Sequence, residues 1–187
     1  MKILIVIIII LVLAAGLFII FINSGIYNIA ATSKHGSLTL KVINTTVDNS
    51  IRRHAKGIEV PDLTDSNMIA RGFEHFDETC VICHGAVGIG KNEFAEGLYP
   101  EAPSLAEEVE EWSPAELFWI TKHGIKLTGM PAIRETHSDE KIWHLVAFLQ
   151  QLPDMTYQEY MSMRQRGEQE SEEAEEENPE DHGSHTH

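Results

Sequence analysis

The sequence predicts an all-α protein in which helices surround one core and a single transmembrane helix precedes them. Two observations support this prediction. A long apolar run occupies Ile3–Ile22, and several later segments combine a helix-capping residue with apolar residues at helical spacing. With 187 residues the chain has room for one domain with appended segments. No βαβ pattern of alternating strands and helices is visible in the sequence.

The apolar run Ile3–Ile22 contains no charged residue. At about 1.5 Å per residue it spans roughly 30 Å, the thickness of a bilayer core. The alternative is a cleavable signal peptide, which has a shorter apolar region, of about 7–15 residues, and a small-x-small cleavage site. The candidate site at Ala30–Ala31 lacks the required small residue in front of it. Residues 1–24 are therefore predicted to be an uncleaved, single-pass membrane anchor.

Residues 25–63 are predicted to be a connecting segment, and their secondary structure stays open. Leu38, Leu40 and Val42 alternate as they would in a strand. Leu38, Val42 and Ile43 also suit one face of a helix, and periodicity cannot decide between the two in so short a run.

Residues 64–153 carry the clearest helix signals and are predicted to form the main domain. Thr64, Asp65 or Ser66 can cap a first helix that runs to about Thr79. A second helix begins in a capping box with Ser113 at the N-cap, Pro114 at the first helical position and Glu116, and it is expected to end at Gly124.

A third helix of this domain begins after Ser138 and is expected to end at Pro153. Its apolar stripe consists of Ile142, Leu145, Val146, Leu149 and Leu152. Three histidines on these helices or at their edges are interpreted as surface residues: His75, His137 and His144.

The carboxyl-terminal part is predicted to lie outside the core. Thr156 and Glu159 form a capping box for a short polar helix within residues 154–167. Residues 168–187 are rich in Glu and His and are predicted to be a disordered tail. One hypothesis gives this tail a weak divalent metal site at His182, His185 and His187. The alternative is a solvated acidic tail whose histidines bind nothing.

The motif that carries chemistry is Cys80-Val81-Ile82-Cys83-His84. Two cysteines separated by two residues and followed directly by a histidine indicate a covalent attachment site for one haem c. Each thiol adds to a haem vinyl group, and the histidine ring becomes the fifth iron ligand. A zinc site would need further ligands at matching spacing, but Cys80 and Cys83 are the two cysteines of the chain. A thioredoxin-like motif would lack the adjacent histidine.

With these residues, the segment from about Asp65 to Leu152 resembles the class I c-type cytochromes. In that family a glycine and an aromatic residue precede the haem motif, as Gly72 and Phe76 do here, and a Leu-x-x-aromatic pair lies on the last helix. Leu145 and Phe148 match that pair. The resemblance implies that the two helices cross at the glycine. It also implies a class I cytochrome c fold and assembly of the haem outside the cytoplasm.

The resemblance further implies two site residues between the haem motif and the last helix. Met130, between Gly129 and Pro131, matches the loop methionine that is the sixth iron ligand, opposite His84. His123 is the rival ligand. Pro103 matches the proline whose carbonyl group accepts a hydrogen bond from the haem histidine, with Pro100 as the alternative.

The basic residues Arg52 and Arg53 lie before the predicted domain. They are interpreted either as a solvated patch near lipid headgroups or as partners of a haem propionate. Four aromatic residues are candidates for the haem pocket and its packing: Phe73, Phe76, Trp119 and Trp143.

Composition and topology define the expected function. The net charge of −15 argues against nucleic acid as a partner. Lys2, before the apolar run, favours a cytoplasmic amino terminus, which places the haem domain on the periplasmic or outer face of the cytoplasmic (inner) membrane. The expected protein is a membrane-tethered mono-haem electron carrier of a respiratory chain, not an enzyme by itself, with redox proteins as donor and acceptor. The alternatives are an electron-transfer subunit of a membrane oxidase or dehydrogenase complex, or a haem gas sensor.

Overall fold

The computed structural model describes the backbone of residues 1–177 and the side chains of residues 1–169. The chain forms two compact units, one of residues 1–35 and one that begins at Gly36. Within the described residues the structure is helical and has no β-strand, apart from an isolated bridge between Ala86 and Ile89. The all-α prediction is therefore confirmed. The α-helices are α1 Lys2–Asn23, α2 Ser37–His54, α3 Ser66–His75, α4 Val81–His84, α5 Leu105–Glu108, α6 Pro114–His123, α7 Asp139–Leu149 and α8 Tyr157–Glu177.

Helix α1 dominates the first unit. It has a mean hydropathy of 3.6 over its most apolar window, and it carries no buried residue. Its length and composition suit a membrane crossing. An apolar helix with all of its faces exposed needs an apolar environment, which supports the predicted anchor.

The core of the second unit lies where α3 crosses α7. Phe73 and Phe76 reach Phe148 with ring centroids 5.4 and 5.1 Å apart. Gly72 makes the crossing close, because a β-carbon at this position would overlap the carbonyl oxygen of His144. The aromatic and glycine positions that the sequence pairs are thus in direct contact.

Helix α2 resolves the ambiguity of the connecting segment in favour of a helix. Helix α2 belongs to the second unit and packs against α6, and Ile51 in its last turn is buried. The Arg52 guanidinium lies 5.6 Å from the centre of the Trp112 ring, and the His54 ring stacks on Trp119 with centroids 5.5 Å apart. Arg52 therefore has an aromatic partner within the fold.

The predicted helix caps are observed. The Asp65 carboxylate accepts from the backbone N–H groups of Asn67 and Met68. The capping box of Ser113 and Glu116 is complete, and α6 ends at Gly124 as expected. The cap at Ser138 and the capping box at Thr156 are also present.

Three helix ends differ from the predictions. Helix α3 ends at His75, and a π-helical turn over Phe76–Cys80 replaces its last turn. Helix α7 ends at Leu149, before a 3₁₀ turn over Leu152–Asp154. Helix α8 continues past residue 167 to Glu177, because its Glu, Gln and Ala residues are strong helix formers.

Two further predictions concern histidines. His144 was expected at the surface but is only 7% exposed, because it lies on the α7 face that meets α3. The hypothetical metal site at His182, His185 and His187 lies outside the described residues.

Candidate haem-binding site

The cysteine pair lies on a continuous helical segment that changes its winding. The π-helical turn Phe76–Cys80 leads directly into α4, and the backbone N–H of Val81 donates to the carbonyl of Phe76. Both thiols are free, and both cysteines are partly buried. Cys80 and Cys83 are three residues apart, so their side chains lie on one face of the helix.

His84, the last residue of α4, is fixed by one hydrogen bond. Its Nδ1 lies 2.8 Å from the carbonyl oxygen of Pro103. A carbonyl oxygen can only accept, so Nδ1 carries the proton and Nε2 keeps its lone pair. This hydrogen bond joins two residues that are 19 positions apart in the chain. Its acceptor is Pro103 and not the alternative, Pro100.

A tight turn directly after His84 reverses the direction of the chain. Gly85 has a φ of 69°, and a β-carbon there would lie 2.7 Å from the Ile89 carbonyl oxygen. Ala86 and Ile89 then exchange two backbone hydrogen bonds, of 2.9 and 3.0 Å. Only glycine fits this close turn without strain.

Burial controls the protonation of the site. Burial lowers the pKa of the His84 imidazole, the hydrogen bond to Pro103 opposes this, and the Lys91 charge lowers it further. Burial also raises the pKa of the Cys80 thiol. The pocket thus favours a neutral imidazole, which is the form that binds a metal.

The loop that carries Met130 is folded back onto the end of α6. The Ile125 N–H donates to the Met130 carbonyl at 3.3 Å, and the Met130 N–H donates to the Thr128 hydroxyl at 3.1 Å. Gly124 has a φ of 62°, and a β-carbon there would lie 2.6 Å from the Met130 carbonyl oxygen. The methionine is held by its backbone, and its side chain is only partly buried.

The same loop meets the segment that holds Pro103. A β-carbon on Gly129 would lie 2.8 Å from a methyl carbon of Leu98, which lies between His84 and Pro103 in the chain. The rival ligand His123 lies in an aromatic cluster, with its ring centroid 5.0 Å from Trp119. Burial and the charges of Arg134 and Lys122 lower the pKa of His123.

These residues fit a covalently bound haem. Two free thiols at the required spacing lie next to His84. Its Nδ1 donates a hydrogen bond to Pro103, and its Nε2 keeps the lone pair that can bind iron. The Pro103 carbonyl accepts the hydrogen bond from the second ring nitrogen, which is the contact that orients a metal-ligating histidine.

Comparison with protein families agrees with this geometry. Residues 67–149 match the family described as cytochrome C oxidase, cbb3-type, subunit III. A search of curated proteins gives no match. The family match begins inside α3 and ends with α7, so it covers the crossed helices, the cysteine motif and the Met130 loop.

The fold and the family match together support a mono-haem c-type cytochrome domain with the class I fold at residues 67–149. Its cofactor is covalent haem c, and its role is electron transport through the haem iron.

Sequence analysis missed three residues beside the site: Asp77, Tyr160 and Arg164. Tyr160 and Arg164 lie on α8, which the sequence indicated only as a polar helix outside the core. Their spacing of four residues places them on one helix face and was the available signal. Nothing in the sequence indicated that this face meets Asp77.

Proposed function

We propose that the protein is a membrane-tethered mono-haem cytochrome c that carries single electrons on the extracytoplasmic side, in a respiratory chain. In this proposal Cys80 and Cys83 form the thioether bonds, and His84 and Met130 are the axial ligands. The observation that carries it is the 2.8 Å hydrogen bond from His84 Nδ1 to Pro103, directly after the cysteine pair.

The protein residues orient the ligands and exclude water. The hydrogen bond to the Pro103 carbonyl fixes the orientation of the imidazole ring and makes the ring a better electron-pair donor to a metal, as hydrogen-bond partners of metal ligands do. The soft thioether of Met130 favours the reduced metal and raises the reduction potential relative to a second histidine. When bound, the haem supplies an iron that gains or loses one electron.

Helix α1 supports the tether. An exposed apolar helix of this length would keep the haem domain at the membrane surface, where its electron donors and acceptors are other redox proteins of the membrane. Ligation of both axial positions leaves no open site for a substrate, which suits a carrier.

A second candidate function is that of an electron-transfer subunit in a larger membrane oxidase. The description of the matching family as an oxidase subunit favours this candidate. Purification in mild detergent distinguishes the two, because a subunit migrates with its complex, whereas a free carrier migrates alone.

The carrier proposal is tested by absorption spectra of the purified protein in both redox states. The oxidised protein is expected to show the weak sulfur-to-iron charge-transfer band in the near infrared, and the reduced protein is expected not to bind carbon monoxide. Rapid carbon monoxide binding without that band would overturn the proposed ligation and would favour a gas sensor.

A further inference from the structure

Helix α8 lies outside the family match but belongs to the core that carries the haem motif. Tyr160 is 0% exposed, and its ring centroid lies 5.2 Å from Phe73 and 6.4 Å from Phe76. At the start of the helix, Tyr157 packs on Gly88, where a β-carbon would lie 2.6 Å from the tyrosine ring. Helix α8 therefore contacts the chain on both sides of the cysteine pair.

This helix face binds one carboxylate. The Tyr160 hydroxyl donates to Oδ1 of Asp77 at 2.5 Å, and the Arg164 Nε donates to Oδ2 at 3.1 Å. The Asp77 side chain is 18% exposed and that of Arg164 is 37% exposed. Both carboxylate oxygens of Asp77 accept from donors on α8, so Asp77 and Arg164 form a partly buried charge pair.

The charge pair is close to the haem attachment point. Asp77 lies within the π-helical turn Phe76–Cys80, three residues before the first cysteine. Burial and the hydrogen bond to Asp77 raise the pKa of Tyr160, and the Asp77 charge adds to this effect. Cys80 packs against the buried core cluster that includes Tyr160.

We propose that Arg164, with Tyr160, is a positioning residue that holds Asp77 in the π-helical turn and balances its charge, so that α8 sets the reduction potential of the haem. This inference rests on the proposed attachment of haem at Cys80.

The electrostatic consequence has a definite sign. The iron gains a positive charge on oxidation, so a nearby negative charge stabilises the oxidised state and lowers the reduction potential. Removing Arg164 leaves the Asp77 carboxylate without its cationic partner, whereas removing the Asp77 charge leaves the Arg164 cation beside the exposed Glu168 carboxylate, 3.9 Å from its Nε. The two changes must therefore shift the potential in opposite directions, and together they must largely cancel.

The experiment is a spectroelectrochemical redox titration of the full-length protein in mild detergent. Arg164→Gln is expected to lower the midpoint potential, Asp77→Asn to raise it, and the double variant to lie between them, near the unmodified protein. Arg164→Lys retains the positive charge and is expected to keep most of the original potential.

Arg166→Gln is the matched control. It removes the same charge from the same helix, but Arg166 is exposed and its Nε donates to the Ser162 carbonyl at 3.2 Å. We expect a clearly smaller shift than for Arg164→Gln. Tyr160→Phe, which removes one hydrogen bond and retains the packing, completes the series.

Equal shifts from Arg164→Gln and Arg166→Gln would overturn the inference, as would shifts of the same sign from Arg164→Gln and Asp77→Asn. If Asp77→Asn fails to accumulate with haem, the midpoint potentials of Arg164→Gln, Arg164→Lys and Arg166→Gln decide whether the inference holds. The intact mass of the unmodified protein separates this inference from the proposed function. A mass without haem refutes both, whereas covalent haem with wrong signs refutes only the charge-balance role.

Discussion

Gly72 packs directly against the backbone of His144, so closely that a β-carbon on Gly72 would overlap the His144 carbonyl oxygen and lie 2.9 Å from Cβ of Phe148. The two closest obstructing atoms belong to the backbone of α7, and neither they nor a β-carbon can move aside as the end of a flexible side chain can. The crossing of α3 and α7 therefore depends on the absence of a side chain at this position.

Replacement of this glycine by alanine should force the two helices apart. We expect Gly72→Ala to destabilise the domain by about 3 kcal/mol, the upper part of the usual range for overpacking. For a domain of this size that lowers the melting temperature by roughly 10 °C or more. Thermal unfolding followed by circular dichroism measures the change. Gly97→Ala is the control, because Gly97 is exposed and a β-carbon there meets nothing within 4 Å.

Covalent attachment of haem should depend on both cysteines. The intact polypeptide is expected to carry the mass of one haem, which should remain after acid–acetone extraction, because thioether bonds survive that treatment. Replacing Cys80 and Cys83 together by serine should make all of the haem extractable. Complete extraction of haem from the unmodified, active protein would refute the attachment.

The axial role of Met130 can be tested against a methionine elsewhere. Met130→Ala should abolish the near-infrared sulfur-to-iron band, lower the reduction potential and open the iron to carbon monoxide, because a soft ligand is lost. Met155→Ala, at a similarly partly buried position after α7, should leave the band intact. A band that survives Met130→Ala, together with altered ligation in His123→Ala, would transfer the role to His123.

Helix α1 should remain in the mature protein and hold it in the membrane. The protein is expected to stay in the membrane fraction after an alkaline carbonate wash. A version with a cleavable signal peptide in place of residues 1–24 should be soluble and show an unchanged haem spectrum. Amino-terminal sequencing that begins near Thr32 would show that the segment is removed.

The two halves of α8 should differ in their contribution to stability. Tyr160→Ala removes a fully buried aromatic ring and should cost about 3–5 kcal/mol. Shortening the chain after Gly167 retains Tyr160 and Arg164 and should change the melting temperature and the haem spectrum little. A large loss of stability on this truncation would show that the later part of the chain also supports the core.

The sequence was most informative where a local pattern has a local cause. The caps at Asp65, Ser113 and Ser138 depend on side chains that bind backbone groups two or three residues away, so their spacing is visible in the chain. The cysteine motif is similar, because thioether chemistry needs that spacing within one helical segment.

Other features depended on contacts between distant parts of the chain. The pattern within residues 25–63 fits a strand or a helix. The structure has a helix there, α2, and it buries Ile51. His144 looked like a surface residue, since its position in the sequence does not show which helix covers it.

The sequence by itself therefore determined the helical class, the starts of α3, α6, α7 and α8, the apolar segment and the haem motif, because each follows from interactions within a few residues. Only the tertiary structure decided that Pro103 rather than Pro100 meets His84, that α2 packs against α6 and that α8 binds Asp77. These contacts join residues far apart in the chain, and their energy comes from burial and charge pairing that exist only after folding. That is why Tyr160 and Arg164, on a helix of polar composition, contact Asp77 in the turn that leads into the cysteine motif.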